Sequence, residues 1–121
     1  MENLPLGRRM HTRGTTLKGS LSTEQWHDFV KQATAAIGME AVGVPGFWQY
    51  PVNEKGGVGF TLVQPITESF VCLDTWSDHN GAYLFICSCR PIRAAKLRQV
   101  IADFHLVIHN EFSIQQELPN D

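Results

Sequence analysis

Apolar positions recur at helical spacing in two windows of this chain and follow strand-like patterns through most of the rest. Between Ser22 and Gly38, the residues Trp26, Phe29, Val30, Ala33 and Ile37 fall at helical intervals, so one stripe of a helix is apolar. Ser22 with Gln25 three residues on makes a capping box, Leu21 and Trp26 can staple the entry, and Gly38 supplies the stop. A second helix opens near Pro91 and buries Ile92, Leu97, Val100, Ile101 and Phe104. Strands are expected at Arg8 to Lys18, Glu40 to Tyr50 (kinked at Pro45-Gly46), Val58 to Ile66, Phe70 to Trp76, Ala82 to Cys89 and Leu106 to Phe112. Pro65 has no N–H to give, so it belongs at an edge, a bulge or the end of its strand. Asn53 to Gly57 reads as a turn and Ser77 to Gly81 as a loop. The order strand, helix, four strands, helix, strand predicts an α+β fold: a two-layer α/β sandwich with a mostly antiparallel sheet and two helices on one face.

Length and charge narrow the function classes. A chain of 121 residues supports one domain, residues 1–121, with a single core. Ten basic against twelve acidic side chains give a net charge of -2, which argues against nucleic acid and anionic membranes as partners. The one basic cluster, Arg8, Arg9, Arg13 and Lys18, reads as a solvated strand flank. No apolar run approaches the roughly 20 residues of a membrane span, and the start of the chain lacks the apolar centre of a signal peptide. A cytoplasmic protein is therefore expected. Cys72, Cys87 and Cys89 are odd in number and lack a C-x-x-C spacing, which argues against a disulfide scaffold and against a zinc site. His11, His27, His79 and His105 show no ligand spacing, so no metal is expected. Gly56, Gly57 and Gly59 lack the following helix that a phosphate loop needs.

The segment from Gly56 to Arg90 concentrates the chemistry. It holds the Glu68-Ser69 pair, Asp74, Asp78 and Cys89 within or between apolar strands, where polar groups cost free energy unless satisfied or used. Alternation puts Phe70, Cys72, Asp74 and Trp76 on one face and Val71, Leu73 and Thr75 on the other. Cys87 and Cys89 share a face by the same rule. Asp74 then either lines a cleft or sits on an open sheet in solvent.

The run P-I-T-E-S-F-V-C-L-D-T-W-S-D, followed by a strand ending at Cys89 and a helix opening near Pro91, resembles the prokaryotic S-adenosylmethionine decarboxylases. Their Glu-Ser-His-Leu-Ser/Thr-Ile-His-Thr-Trp-Pro-Glu stretch and Phe-Thr-Cys-Gly strand fit this chain without a gap from Glu68 to Cys89. In that family the Glu-Ser bond cuts itself and leaves a pyruvoyl group, whose carbonyl serves as the electron sink for loss of carbon dioxide. The resemblance implies that Ser69 is the pyruvoyl precursor and Glu68 the new C-terminus. It makes Cys89 the proton donor in turnover and Thr61 the hydroxyl residue upstream. Asp78 would hold the ribose hydroxyls, and Phe47 and Tyr50 would lie near the adenine. It also implies S-adenosylmethionine as substrate, polyamine synthesis as the context, and a homo-oligomer with sites near subunit contacts.

Two positions depart from the family. Asp74 stands where the family has the histidine that promotes ester breakdown, and Phe70 stands where a histidine follows the cleaved serine. An aspartate at its ordinary pKa is a weaker base than imidazole near neutral pH. Two other outcomes stay open: an uncleaved S-adenosylmethionine lyase giving methylthioadenosine and homoserine lactone, and a non-catalytic S-adenosylmethionine-binding pseudoenzyme. The aromatics Trp48, Tyr50 and Trp76 serve either a ligand cleft or an oligomer interface.

Overall fold

The computed structural model describes residues 9–51, 58–67, 69–76 and 80–119. Along the chain these form β1 (Arg9–Lys18), α1 (Thr23–Ala36), β2 (Gly46–Pro51), β3 (Val58–Ile66), β4 (Ser69–Trp76), β5 (Gly81–Ser88), α2 (Ala94–Asp103) and β6 (Val107–Glu117). The strands make one antiparallel sheet in the order β2-β3-β4-β5-β1-β6. β1 is thus inserted between β5 and β6. Both helices cover one face, which gives the expected two-layer α+β sandwich.

The caps of α1 are built as its sequence requires. The Ser22 hydroxyl accepts the Gln25 N–H at 3.1 Å, and Gln25 Oε1 accepts the Ser22 N–H at 2.8 Å. Such a cap is worth about 1 kcal/mol. At the other end Gly38 takes φ +81, its N–H bonds Ala35 O, and the Met39 N–H bonds Thr34 O. That paired closure needs a left-handed residue, which glycine supplies without steric cost. α2 ends in the same pattern, but with His105 at φ +58 in the glycine's place.

Trp26, Phe29, Val30, Ala33 and Ile37 are all buried, as their spacing predicts. They pack with Leu97 and Ile101 of α2 onto Leu62, Val71, Leu73, Leu84 and Ile86 of the sheet. Full burial of one such side chain contributes about 1.5–3 kcal/mol, so this layer dominates stability.

Several boundaries differ from expectation. Only Gly46–Pro51 of the segment from Glu40 is a continuous strand; before it lie a bridge from Ala41 to Ile66 and a bend at Gly43, φ +70. α2 opens at Ala94 with Arg93 at its N-cap, so Pro91 precedes the helix. β5 stops at Ser88 because the Ser88 hydroxyl accepts the Arg90 N–H at 3.0 Å and turns the chain. Cys89 therefore lies beyond the strand and shares no alternation with Cys87. β6 continues past Phe112 to Glu117, since β1 runs beside it as far as the Arg9–Glu117 pair. Pro65 sits one residue from the end of β3, past the β2 ladder, where its lack of an N–H is harmless. The expected turn at Asn53 to Gly57 and most of the expected loop at Ser77 to Gly81 lie outside the described residues.

One ion-pair network ties α2 to the sheet. Glu111 on β6 receives Arg13 of β1 at 2.6 Å and Arg98 of α2 at 2.7 Å. Arg13 is nearly buried, so the basic cluster is not wholly a solvated flank. The bond from Arg98, then that from Arg13, holds the Glu111 carboxyl below its ordinary range against the opposing effect of burial. A depressed carboxylate contributes stability above its unfolded pKa of about 4.3, and that contribution disappears as pH falls through the lower folded value. Urea unfolding of Glu111→Gln at pH 7 should show a loss of about 1–2 kcal/mol. The gap to the wild type should close as pH falls below about 4; a gap independent of pH would contradict this role.

Candidate functional site

The face of the sheet opposite the helices carries most of the candidate chemistry. Antiparallel partners share a face, so the registers lay out rows across the strands. One row runs Trp48, Thr61, Asp74, Tyr83 and Thr16 across β2, β3, β4, β5 and β1. The next runs Gly46, Val63, Cys72, Phe85, Gly14 and Phe112. A third holds Pro65, Phe70, Cys87, Thr12 and Ile114. The partition of β4 expected from alternation is therefore observed: Val71, Leu73 and Thr75 are buried under the helices, while Phe70, Cys72, Asp74 and Trp76 face the other way.

Asp74 is bound from two strands. The Thr61 hydroxyl donates to Asp74 Oδ1, and the Tyr50 hydroxyl donates to the same oxygen at 3.2 Å. Tyr50 and Thr61 are themselves 3.2 Å apart, closing a triangle of two hydroxyls and a carboxylate. Around it stand stacked rings: Trp76 on Tyr83 at 6.4 Å, Tyr83 beside Phe85 at 5.9 Å, and Phe85 on Phe70 at 6.3 Å. Gly14 keeps this surface close-packed, because a Cβ there would lie 2.2 Å from the Phe112 ring and 2.6 Å from the Tyr83 hydroxyl. Burial, then the charge of Asp74, pushes the Cys72 thiol above its ordinary pKa. Burial, then Cys72, does the same to the Tyr83 phenol.

Ser69 lies at the other end of β4. It pairs with Ser88, the last residue of β5, which puts exposed Cys89 one residue beyond that pair. Ser69 and Asp74 are five residues apart on an extended strand, about 17 Å at a rise of about 3.4 Å per residue. They also fall on opposite faces. The expected residues thus form two groups, Ser69 with Cys89 at one end and Thr61, Tyr50 and Asp74 towards the other. Glu68 and Asp78 lie outside the described residues.

Phe47 does not accompany Tyr50. Three residues apart on β2, the two rings point to opposite faces, and Phe47 packs on His27 of α1 at 5.0 Å and on Phe60 at 5.1 Å. Trp76 borders a cleft of about 320 Å³ at the end of the sheet, together with Trp26, Gln49, Phe60, Thr75 and Asn80. Sequence reasoning did not find Tyr83 as the cross-strand neighbour of Asp74, nor Tyr50 as its hydrogen-bond donor. Alternation within Ala82 to Cys89 carried the first signal; nothing in the sequence carried the second. Among the described residues no group of three or more His, Cys, Asp or Glu could hold a metal ion. Among them, too, no helix is long and apolar enough to cross a membrane.

The geometry predicts an order of thiol reactivity. Alkylation near pH 8 with site-resolved mass spectrometry should find Cys89 modified first and Cys72 last. Asp74→Asn should speed Cys72 by about two- to fivefold, since it removes the smaller of the two effects. Equal rates for Cys72 and Cys89 would contradict this.

A sequence profile of the S-adenosylmethionine decarboxylase family matches residues 20–110. No curated protein is significantly similar in sequence. The fold is similar to a crystal structure of the adenosylmethionine decarboxylase from Aquifex aeolicus VF5, with a TM-score of 0.62 and 15% identity over 93% of each chain.

Proposed function

We propose that this chain, which belongs to the S-adenosylmethionine decarboxylase family, cuts itself between Glu68 and Ser69 and decarboxylates S-adenosylmethionine in the cytoplasm, supplying polyamine synthesis. The observation that carries this reading is the register of β4 on β5, which sets Ser69 against Ser88 with Cys89 next to it. The fold also tolerates the cut. β4 would stay bonded to β3 across the break, and β1 of the first fragment would stay between β5 and β6 of the second. Ser69 is half-buried at the head of its strand, a position from which a new N-terminus is held rather than released. The residues present therefore fit a pyruvoyl group. When formed, that group supplies the electron sink for loss of carbon dioxide.

In this reading the chain's own residues divide the work. Cys89 Sγ returns a proton to the carbon that loses carbon dioxide. Trp76, at the far end of β4 from Ser69, holds the adenosine end from a second copy, with Asp78 on the ribose hydroxyls. Asp74, aided by Thr61, is the base for breakdown of the Glu68–Ser69 ester.

On this reading the separation of about 17 Å between Asp74 and Ser69 calls for a second copy. Trp48, Tyr50, Trp76, Phe112 and Ile114 leave 39–57% of their surface exposed, mostly on the helix-free face. So large an apolar face calls for cover. A copy stacked on it about a twofold axis crossing the strands reverses strand direction, bringing Asp74, Thr61 and Tyr50 of one chain to the Ser69 end of the other. Each site is then shared.

One observation favours an uncleaved reading, either a lyase or a binding protein: within one chain Asp74 lies about 17 Å along β4 from Ser69 and on the opposite face of the sheet. Denaturing mass spectrometry separates the two. The decarboxylase reading expects two fragments, the C-terminal one blocked at residue 69, and release of labelled carbon dioxide from carboxyl-labelled S-adenosylmethionine. A single mass of 13.6 kDa with methylthioadenosine as product, or with no turnover, would overturn it.

Analytical ultracentrifugation should find a dimer. Ile114→Lys, on an exposed position of the stacked face, should weaken dimerisation about tenfold or more and slow cleavage in parallel. A monomeric variant that cuts itself at the wild-type rate would rule out a shared site.

A further inference from the structure

The triangle on the helix-free face contains one member, Tyr50, whose hydroxyl is left unexplained by the resemblance, which would set only its ring near the adenine. Tyr50 comes from edge strand β2 and crosses β3 to reach Asp74 on β4, two strands away. Its β3 partner is Gly59, which puts no side chain in the way. The ring could have packed with its neighbours and left its hydroxyl to solvent. Instead the hydroxyl meets both Asp74 and Thr61.

We infer that Tyr50 is a positioning residue for Asp74, fixing one carboxylate oxygen so that the other takes the proton during maturation. This inference rests on the self-cleavage reading above and deepens it. An imidazole presents a single basic nitrogen whose direction is set by the ring. A carboxylate has two equivalent oxygens and a broad, twofold terminal torsion. Used as a base in place of imidazole, it loses reactivity to misorientation unless that equivalence is broken. Two hydroxyl donors converging on Oδ1 break it. Thr61 alone holds the oxygen along β3; Tyr50 adds a second direction from the sheet edge, and together they fix the plane of the group. Misplacement of a catalytic group by about 1 Å can cost a hundredfold in rate, so the orientation is worth holding.

The step it serves balances as follows. After the acyl group of Glu68 has moved to the Ser69 oxygen, Asp74 Oδ2 takes the proton from Ser69 Cα. The Cα–Cβ double bond forms, and the Cβ–O bond breaks with its electron pair leaving on the Glu68 carboxylate. The dehydroalanine left behind tautomerises to an imine, and water releases ammonia to leave the pyruvoyl carbonyl. Tyr50 and Thr61 keep their own protons throughout.

Freshly translated full-length protein, with Tyr50→Phe beside the wild type, tests this by time-resolved mass spectrometry with and without hydroxylamine. Hydroxylamine cuts the ester and leaves a serine-headed C-terminal fragment, whereas completed elimination leaves a pyruvoyl-headed one. Tyr50→Phe keeps the ring and loses only the hydroxyl. It should slow appearance of the pyruvoyl fragment about tenfold to a hundredfold, with the hydroxylamine-cleavable ester accumulating. Thr61→Val, which removes the other donor to Oδ1, should behave like Tyr50→Phe. A purely structural role for Tyr50 would lower the melting temperature or slow both stages together, without ester accumulation. Equal rates of pyruvoyl formation in wild type and Tyr50→Phe would overturn the inference while leaving self-cleavage intact. An uncut wild-type chain would overturn both, and these two results are distinct.

Discussion

The meeting of Thr61 with Asp74, and of Ser69 with the end of β5, depends on one constraint, the register in which β4 lies between β3 and β5. Pairing Thr61 with Asp74 and Ser69 with Ser88 decides at once which side chains meet. A slip of one residue would turn Asp74 under the helices and bring Leu73 out, which the apolar core forbids. Hydrophobic burial on one face therefore fixes the chemistry on the other. The helices contribute little to the site directly. Their role is to make one register much more favourable than its neighbours.

From this constraint follows the separation of the site into two groups. The strand that carries both Ser69 and Asp74 is too straight to fold one onto the other. Under the proposed self-cleavage, a chain with this sheet assembles both functions at one place by pairing with a copy of itself. In that proposal the surface that covers the exposed aromatics is the one that completes the site. Oligomer interface and ligand cleft, which the sequence leaves as alternatives for Trp48, Tyr50 and Trp76, are then two aspects of one face.

Much of the fold is legible in the sequence because it rests on local rules. The capping box at Ser22, the stop at Gly38 and the apolar stripe from Trp26 to Ile37 are encoded within a few residues of one another, and all are found. Alternation sorts β4 correctly for the same reason. What is not legible depends on partners distant in sequence. The length of β6 follows from β1 lying beside it, a pairing of residues about a hundred positions apart. The end of β5 is set by the Ser88 hydroxyl capturing the Arg90 N–H, which removes Cys89 from the strand. Tyr50 reads as a ring for stacking, and only the arrangement of β2 on β3 brings its hydroxyl to Asp74. Phe47 reads as its companion until the pleat sends the two to opposite faces.

The central claim is that Ser69 and Asp74 act together from two chains, and co-expression of two defective variants tests it most directly. Ser69→Ala has no bond to cut but supplies Asp74, while Asp74→Asn keeps Ser69 but lacks the base. The account predicts that the Asp74→Asn chain, marked by a tag and followed by mass spectrometry, stays whole when made alone and is cut at Glu68–Ser69 when made with Ser69→Ala. An Asp74→Asn chain that stays whole in both cases, or cuts itself when alone, would contradict it.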